Sequence, residues 1–251
     1  MRIAIPIPTS TDLGYNQRSW PSYADAVTRS GGEPVMIDLA STPEEVAAIA
    51  ATCDGVCLPG SPADIDPLRY SAAPDPATSP ADPAREAVDN ILLDDAYKNR
   101  KPVLGICYGI QSLNVYRGGS LVQDITPLPV NHSAGRSVAI AHTALIAEHS
   151  TLGQLLLAND DTRDEAPLSD GYLRLPINTS HHQAVSEPGD GLRIVSRCPD
   201  DGIIEAVESD PADSSSPHFV LGVQWHPERS YDISPASRAL FGRLIQEAKS
   251  R

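Results

Sequence analysis

Two short stretches of this chain bring together residue types that do covalent chemistry. The first is Gly105-Ile106-Cys107-Tyr108-Gly109-Ile110-Gln111. A buried-type apolar run, Val103 to Ile106, leads straight into the cysteine, and a helical pattern follows it. The thiol therefore stands at a strand-to-helix junction. Such a turn is crowded, and Gly105 and Gly109 remove side chains where backbones must approach. The layout parallels the Gly-x-Ser-x-Gly elbow of hydrolases with sulfur in place of oxygen. A thiol at a helix N-terminus faces the positive end of the dipole, which favours thiolate, the nucleophilic form. The second stretch is Val223-Gln224-Trp225-His226-Pro227-Glu228. In an extended segment, residues two apart project to the same side, and Pro227 keeps His226 out of the helical region. Glu228 can then hold the His226 imidazole in one tautomer, as the third member of a catalytic triad does. Nucleophile, base and orienting acid are the set that acyl transfer through a covalent intermediate needs. Each stretch also has a plainer reading. A free cysteine is often a small buried core residue, and His-Pro-Glu can be a surface turn with an incidental charge pair.

The elements that must position these residues are readable in outline. Strands are expected at Arg2 to Ile7, Val35 to Leu39, Gly55 to Leu58 and Val103 to Ile106. Helices are expected at Tyr23 to Ser30, after Thr42-Pro43-Glu44-Glu45 with its capping box, after Asp82-Pro83, and from Cys107 to Arg117. Gly31-Gly32 and Gly118-Gly119 stop two of them. Strand and helix alternating in this order imply parallel pairing with right-handed crossovers. The second half reads as strands, Ser137 to Ile146, Leu192 to Ser196, Ile203 to Glu208 and Phe219 to Trp225, with few helices between, so antiparallel additions are expected. Ser209 to Pro217 reads as a polar hairpin loop, and a last helix starts at Ser234-Pro235. The stretch from Pro59 to Ala81 carries five prolines inside it, at 62, 67, 74, 76 and 80, and can be neither helix nor central strand. Loops of that length are often functional. With no linker in view, the chain is expected to form a single domain over 1–251.

Composition narrows the partners. Among 251 residues, 19 Lys and Arg stand against 33 Asp and Glu, a net charge of −14. That balance argues against nucleic acid and against anionic membrane surfaces. No apolar run reaches the ~20 residues that span a bilayer. The N-terminus reads as no signal peptide, so a cytoplasmic location is expected. Four cysteines make no disulfide framework, and free thiols are expected.

Gly-x-Cys-x-Gly-x-Gln followed far downstream by His-Pro-Glu resembles the class I glutamine amidotransferase superfamily. Within it, Leu58-Pro59-Gly60-Ser61-Pro62, Gly118 to Asp124, Asn178-Thr179-Ser180-His181-His182-Gln183-Ala184-Val185 and Asp201-Gly202-Ile203-Ile204-Glu205-Ala206 are most similar to the gamma-glutamyl-gamma-aminobutyrate hydrolase family. The resemblance implies a three-layer α/β fold with a mixed, mostly parallel central sheet, helices on both faces and antiparallel additions. It implies Cys107 as nucleophile, His226 as base and Glu228 as its partner. The backbone N–H groups of Gly60 and Tyr108 would form the oxyanion hole, and Gln111, Ser180 and His181 would hold the glutamyl moiety. The implied activity is hydrolysis of a γ-glutamyl amide through a thioester, with a role in polyamine catabolism. Tyr108 departs from the family, which commonly has Arg after the nucleophile. Two other activities fit the same residues: a glutaminase that passes ammonia to a separate synthase, and a γ-glutamyl ligand-binding protein without turnover. The expected partner is a small γ-glutamyl substrate; a homodimer is possible, and a synthase partner is less favoured because no synthase segment is fused.

No cofactor and no metal site is expected. Cys53 and Cys57 lack a second pair of ligands and read as buried strand residues. His181 and His182 point opposite ways in an extended chain. His132, His142, His149 and His218 show no partner pattern. Arg69 and Arg85 are candidates for the substrate carboxylate by location only.

Overall fold

The alternation of short apolar strands and helices folds, in the computed structural model, into one large sheet with helices on both faces. Residues 1–126, 129–212 and 218–250 are described. In chain order the elements are β1 (Arg2–Pro6), α1 (Leu13–Arg29), β2 (Glu33–Ile37), α2 (Pro43–Ala51), β3 (Gly55–Leu58), α3 (Pro83–Asn99), β4 (Val103–Ile106) and α4 (Tyr108–Tyr116). There follow β5 (Ser120–Val122), β6 (His142–Ala147), α5 (Thr151–Leu157), α6 (Asp160–Glu165), β7 (Leu168–Ser169), β8 (Tyr172–Ile177), β9 (Ala184–Glu187), β10 (Leu192–Arg197), β11 (Ile204–Ser209), β12 (Val220–Val223) and α7 (Pro235–Lys249).

The ten-stranded sheet has the order β2-β1-β3-β4-β12-β11-β10-β6-β8-β7. From β2 to β12 neighbours are parallel; from β12 to β7 they are antiparallel. The expected mixed sheet with antiparallel additions is therefore present. Strand periodicity divides the core. Ile3, Ile5, Cys57, Leu221 and Val223 pack with α1, α5 and α7 on one face. Ala4, Val56, Leu58 and Val220 pack with α2, α3 and α4 on the other. All four cysteines are free and buried.

Local signals explain most boundaries. Thr42 caps α2 and Glu45 closes the capping box, as expected. Asp82 caps α3. Gly118, at φ 83°, ends α4 in the left-handed region. Differences from the expected elements have physical causes. Helix α1 begins ten residues early, at Leu13 behind the Asp12 cap, and carries Pro21 inside it. Pro21 and Gln17 are both exposed, so the carbonyl that Pro21 leaves unpaired faces water. Strand β6 starts at His142 and not at Ser137. Strand β8 is masked in the sequence by Pro176; it pairs with β6 throughout but with β7 only at Tyr172 and Leu173, so the proline lies where that edge is free. Residues 213–217 of the expected hairpin loop lie outside the described residues; β11 and β12, which it joins, are antiparallel neighbours.

Three glycines let α4 seat on the sheet. A Cβ on Gly105 would lie 2.6 Å from the Gly109 carbonyl oxygen, one on Gly222 would lie 2.6 Å from Ile110 Cγ1, and one on Gly109 would fall on the Leu58 carbonyl. The last clash sets a Cβ, which has no rotamer to escape by, against main-chain atoms. Gly109→Ala should cost on the order of 3 kcal/mol, lowering Tm by roughly 6–12 °C; a thermal melt against wild type checks this, and an unchanged Tm would show that the contact is loose.

Candidate active site

The parallel strands β3, β4 and β12 lie side by side and end together: Leu58 is level with Gly105, and Val223 with Ile106. Gly60, Cys107 and His226 follow those three ends. Ligand sites of open α/β sheets lie at the carboxyl ends of the strands. Cys107 caps α4 at φ 55°, ψ −105°, a strained elbow for a residue with a side chain. Its N–H donates to the Val223 carbonyl at 2.9 Å, which ties the elbow to the strand that delivers His226.

His226 Nδ1 is 2.8 Å from Glu228 Oε1, and both side chains are 2% exposed. The ring is thereby fixed with Nε2 as its free nitrogen. Glu228 lies in a short 3-10 turn, Pro227–Arg229, in which Arg229 Nε stands 3.3 Å from the same carboxylate oxygen. Burial opposes ionisation of Glu228, yet His226 and Arg229 hold its carboxyl below the usual range. Burial likewise opposes a charged imidazole, but Glu228 and Cys107 raise His226 above its ordinary value. Gly60 sits between the partners: a Cβ there would lie 3.0 Å from His226 Cε1 and 3.5 Å from Cys107 Cβ. Only a glycine leaves that space open.

The two expected oxyanion donors stand in different states. Tyr108 N–H is in the first turn of α4, where backbone donors have no intrahelical partner. Gly60 N–H donates to the Tyr23 hydroxyl at 3.0 Å. The Tyr108 side chain turns away into the core, with the Arg85 guanidinium 4.7 Å above its ring. Arg85 is fully buried and spends its donors on Asp89, the Pro8 carbonyl and the Pro59 carbonyl. It braces the loop that carries Gly60 and is itself closed off from solvent. Arg69 Nη2 donates to Asn90 at 2.8 Å, while its Nη1 stands 3.6 Å from Glu86 and makes no hydrogen bond among the described residues.

Of the residues expected to hold substrate, Gln111 is buried and its amide nitrogen donates to the Gln183 carbonyl and to Gln224 Oε1. Ser180 is half-buried, beside the buried His181. His181 Nδ1 is 2.8 Å from the Gln183 carbonyl, and burial together with His132 pushes its imidazole well below the usual range. His182 points away, bridging Asp124 and Asp64. Asp64 belongs to the proline-rich loop, which is ordered by the Ser79 N–H on Asp64, a short 3-10 turn at Pro67–Tyr70 and the Gln123 side chain.

Several positioning residues were not identifiable in the sequence. Asn178 grips His226 twice: it accepts from the His226 N–H at 2.8 Å and donates to the His226 carbonyl at 2.9 Å. Asp82 accepts from Thr9 and Ser10 as well as capping α3, and these donors outweigh its burial and lower its pKa. Tyr23 and Tyr15 come from α1; Tyr15 lies close enough to feel Cys107 and Glu228, though burial is the main cause of its raised pKa. Only Asn178 carried a signal, as the first residue of the Asn178-Thr179-Ser180-His181 segment.

The pair His226–Glu228 makes stability depend on pH. Glu228 is held below its ordinary 4.5, so its contribution is present above that pH and is lost as pH falls through the folded value. His226 is raised above its ordinary 6.5, so its contribution is complete below that pH and is lost as pH rises through the folded value. The Tm difference between wild type and Glu228→Gln should be widest between these two pH values and narrow on either side. A difference that does not vary with pH would show the pair to be uncoupled.

The chain as a whole has known relatives. The sequence pattern of the Peptidase C26 family matches residues 9–228. A Mycobacterium tuberculosis protein provisionally named a glutamine amidotransferase is 35% identical over 221 residues, 87% of this chain and 65% of that protein. The gamma-glutamyl-gamma-aminobutyrate hydrolase of Escherichia coli K12 is 30% identical over 233 residues, 89% of this chain and 83% of that protein. Among solved structures, a Thermoplasma acidophilum protein provisionally described as part of a GMP synthase superposes with a TM-score of 0.61 at 12% identity, covering 100% of this chain and 94% of that one.

Proposed function

The chain belongs to the Peptidase C26 family, a glutamine amidotransferase-like family of amide-bond hydrolases, and on that premise we propose that it is a cysteine hydrolase of γ-glutamyl amines. The observation that carries this reading is the constellation of Cys107 at its elbow, the His226–Glu228 pair and the Gly60 gap between them. The 30% identity to the gamma-glutamyl-gamma-aminobutyrate hydrolase supports the choice of amide.

Cys107 Sγ attacks the γ-carbonyl carbon while His226 Nε2 accepts the thiol proton. The carbonyl oxygen becomes an oxyanion between the N–H groups of Tyr108 and Gly60, where it displaces the Tyr23 hydroxyl. The C–N bond then breaks, and His226 returns the proton to the leaving amine. A thioester remains on Cys107. His226 next takes a proton from water, the resulting hydroxide attacks the thioester, and glutamate leaves as the thiol is restored. Glu228 keeps the imidazole in the right tautomer and balances its charge. Loss of one oxyanion donor typically costs ~2.7–4 kcal/mol of barrier. The proline-rich loop from Gly60 to Ala81 follows β3 directly and shapes the pocket for the amine.

A second activity, glutamine hydrolysis serving a separate synthase, is favoured by one observation: the 35% identical relative bears an amidotransferase name. A panel of γ-glutamyl amines and glutamine, assayed for glutamate release, separates the two. Wild type should release glutamate from γ-glutamyl amines well above the rate from glutamine, and Cys107→Ala should reduce that rate by at least ~10⁴-fold. Undiminished turnover by Cys107→Ala would overturn the mechanism; a preference for glutamine would move the assignment to the ammonia-supplying role.

A further inference from the structure

Behind residues 178–183 lies a buried polar cluster that the amide chemistry does not use. His132 stands in the segment before β6, His142 opens β6, and Glu205 lies in β11. Their side chains are 1%, 4% and 0% exposed.

The partners of the two histidines fix which nitrogens are bare. His132 Nε2 is 2.9 Å from Asp201 Oδ2, so it carries the proton and Nδ1 is left as a lone pair. His142 Nδ1 is 3.3 Å from the Thr143 carbonyl, so it donates there and Nε2 is left bare. Both of these nitrogens approach Glu205 Oε1, at 3.3 and 3.5 Å, within ion-pair distance but without the alignment of a hydrogen bond. Both Glu205 oxygens lack a hydrogen-bond partner among the described residues. A carboxylate buried with both oxygens unpaired is costly unless a cation faces it.

We infer that His132, His142 and Glu205 form a binding site for a divalent transition metal of the zinc class. The spacing fits. Zinc takes nitrogen and oxygen ligands at ~2.0–2.1 Å, and tetrahedral geometry then sets neighbouring ligand atoms ~3.3–3.4 Å apart. The surroundings fit as well. Metal-bound imidazoles give their other N–H to a carboxylate or a backbone carbonyl, which is what Asp201 and Thr143 provide. The charges balance, since a 2+ ion meets one negative charge on Glu205 and one on Asp201. A third histidine stands alongside: the His181 ring centroid is 5.0 Å from that of His132, and His181 Nε2 is buried without a partner. The fourth ligand position is open to water or to His181. His132 also neighbours Cys198 and Asp201, but its Nε2 is there engaged at hydrogen-bonding distance, shorter than a ligand-to-ligand edge.

Such an ion would clamp β6, β11 and the segment before β6. The His132 carbonyl accepts from the His181 N–H and from the Thr179 hydroxyl, at 2.9 and 2.7 Å. The ion would therefore stiffen residues 178–183, including Asn178, which holds His226. It touches no reacting atom.

The test uses the full chain as Cys107→Ala, so that the elbow thiol contributes no ligand. After chelation and desalting, the protein is titrated with zinc, and separately with cobalt, followed by calorimetry and visible absorption. One equivalent should bind, the cobalt spectrum should lack a thiolate charge-transfer band, and saturating zinc should raise Tm by about 5 °C or more. His142→Ala, and separately Glu205→Gln, should abolish the equivalent. Absence of binding by the folded chain at micromolar zinc would overturn the site, and so would binding that persists in both variants or shows thiolate character. Should either variant fail to fold, the stoichiometry and cobalt spectrum of the Cys107→Ala chain still decide the matter.

Discussion

The backbone of Cys107 sits at φ 55°, a conformation that costs a side-chain-bearing residue on the order of 1–3 kcal/mol, and the site depends on keeping it there. The neighbourhood leaves no alternative. The Cys107 N–H is bound to Val223, Gly105 and Gly109 allow α4 to press against β3 and β4, and Gly222 makes room for Ile110. Releasing the elbow would break contacts on three strands at once. The strain is thus held by packing, and the thiol is presented at the sheet end with little freedom to move.

Around that elbow, charge is arranged so that each buried ion has partners. Glu228 has His226 and Arg229; Arg85 has Asp89 and two backbone carbonyls. Arg85 and Asp82, both near the start of α3, bind the segment after β1 and the loop after β3. One helix N-terminus therefore braces the two loops that border Gly60. A net charge of −14 gives no hint of this, because the ions that matter are paired and out of solvent.

Much of this was legible in the sequence, and for physical reasons. The elbow announced itself because tight approach requires glycine on both sides of Cys107. His226 and Glu228 were readable as a pair from their two-residue spacing, although a 3-10 turn at Pro227–Arg229, and not the expected extended chain, brings them together. The oxyanion loop came from resemblance alone. Contacts that depend on tertiary approach were not legible: Asn178 on the His226 backbone, Tyr23 on Gly60, and Arg85 beneath the loop. Nothing in the spacing of residues 132, 142 and 205 brings them together: the antiparallel order of β11, β10 and β6 sets Glu205 near His142, and bonds to Thr179, His181 and Asp201 hold His132 beside them. Helix α1 is longer than its residue pattern suggests, because a proline on a solvent face is tolerated where a buried one is not.

The hydroxyl of Tyr23 on the Gly60 amide bears on how the site would distinguish ground state from transition state. A neutral substrate carbonyl that replaces it exchanges one neutral acceptor for another and gains little. An oxygen that takes on negative charge exchanges a neutral acceptor for an ionic one, and such hydrogen bonds are roughly twice as strong. Breaking the resting contact costs the same in either case, so it lowers both affinities equally, and only the charge that the oxygen takes on separates the two. A competitor already seated on the Gly60 amide is thus a uniform penalty, which raises KM and leaves turnover to the difference between a neutral and an ionic acceptor.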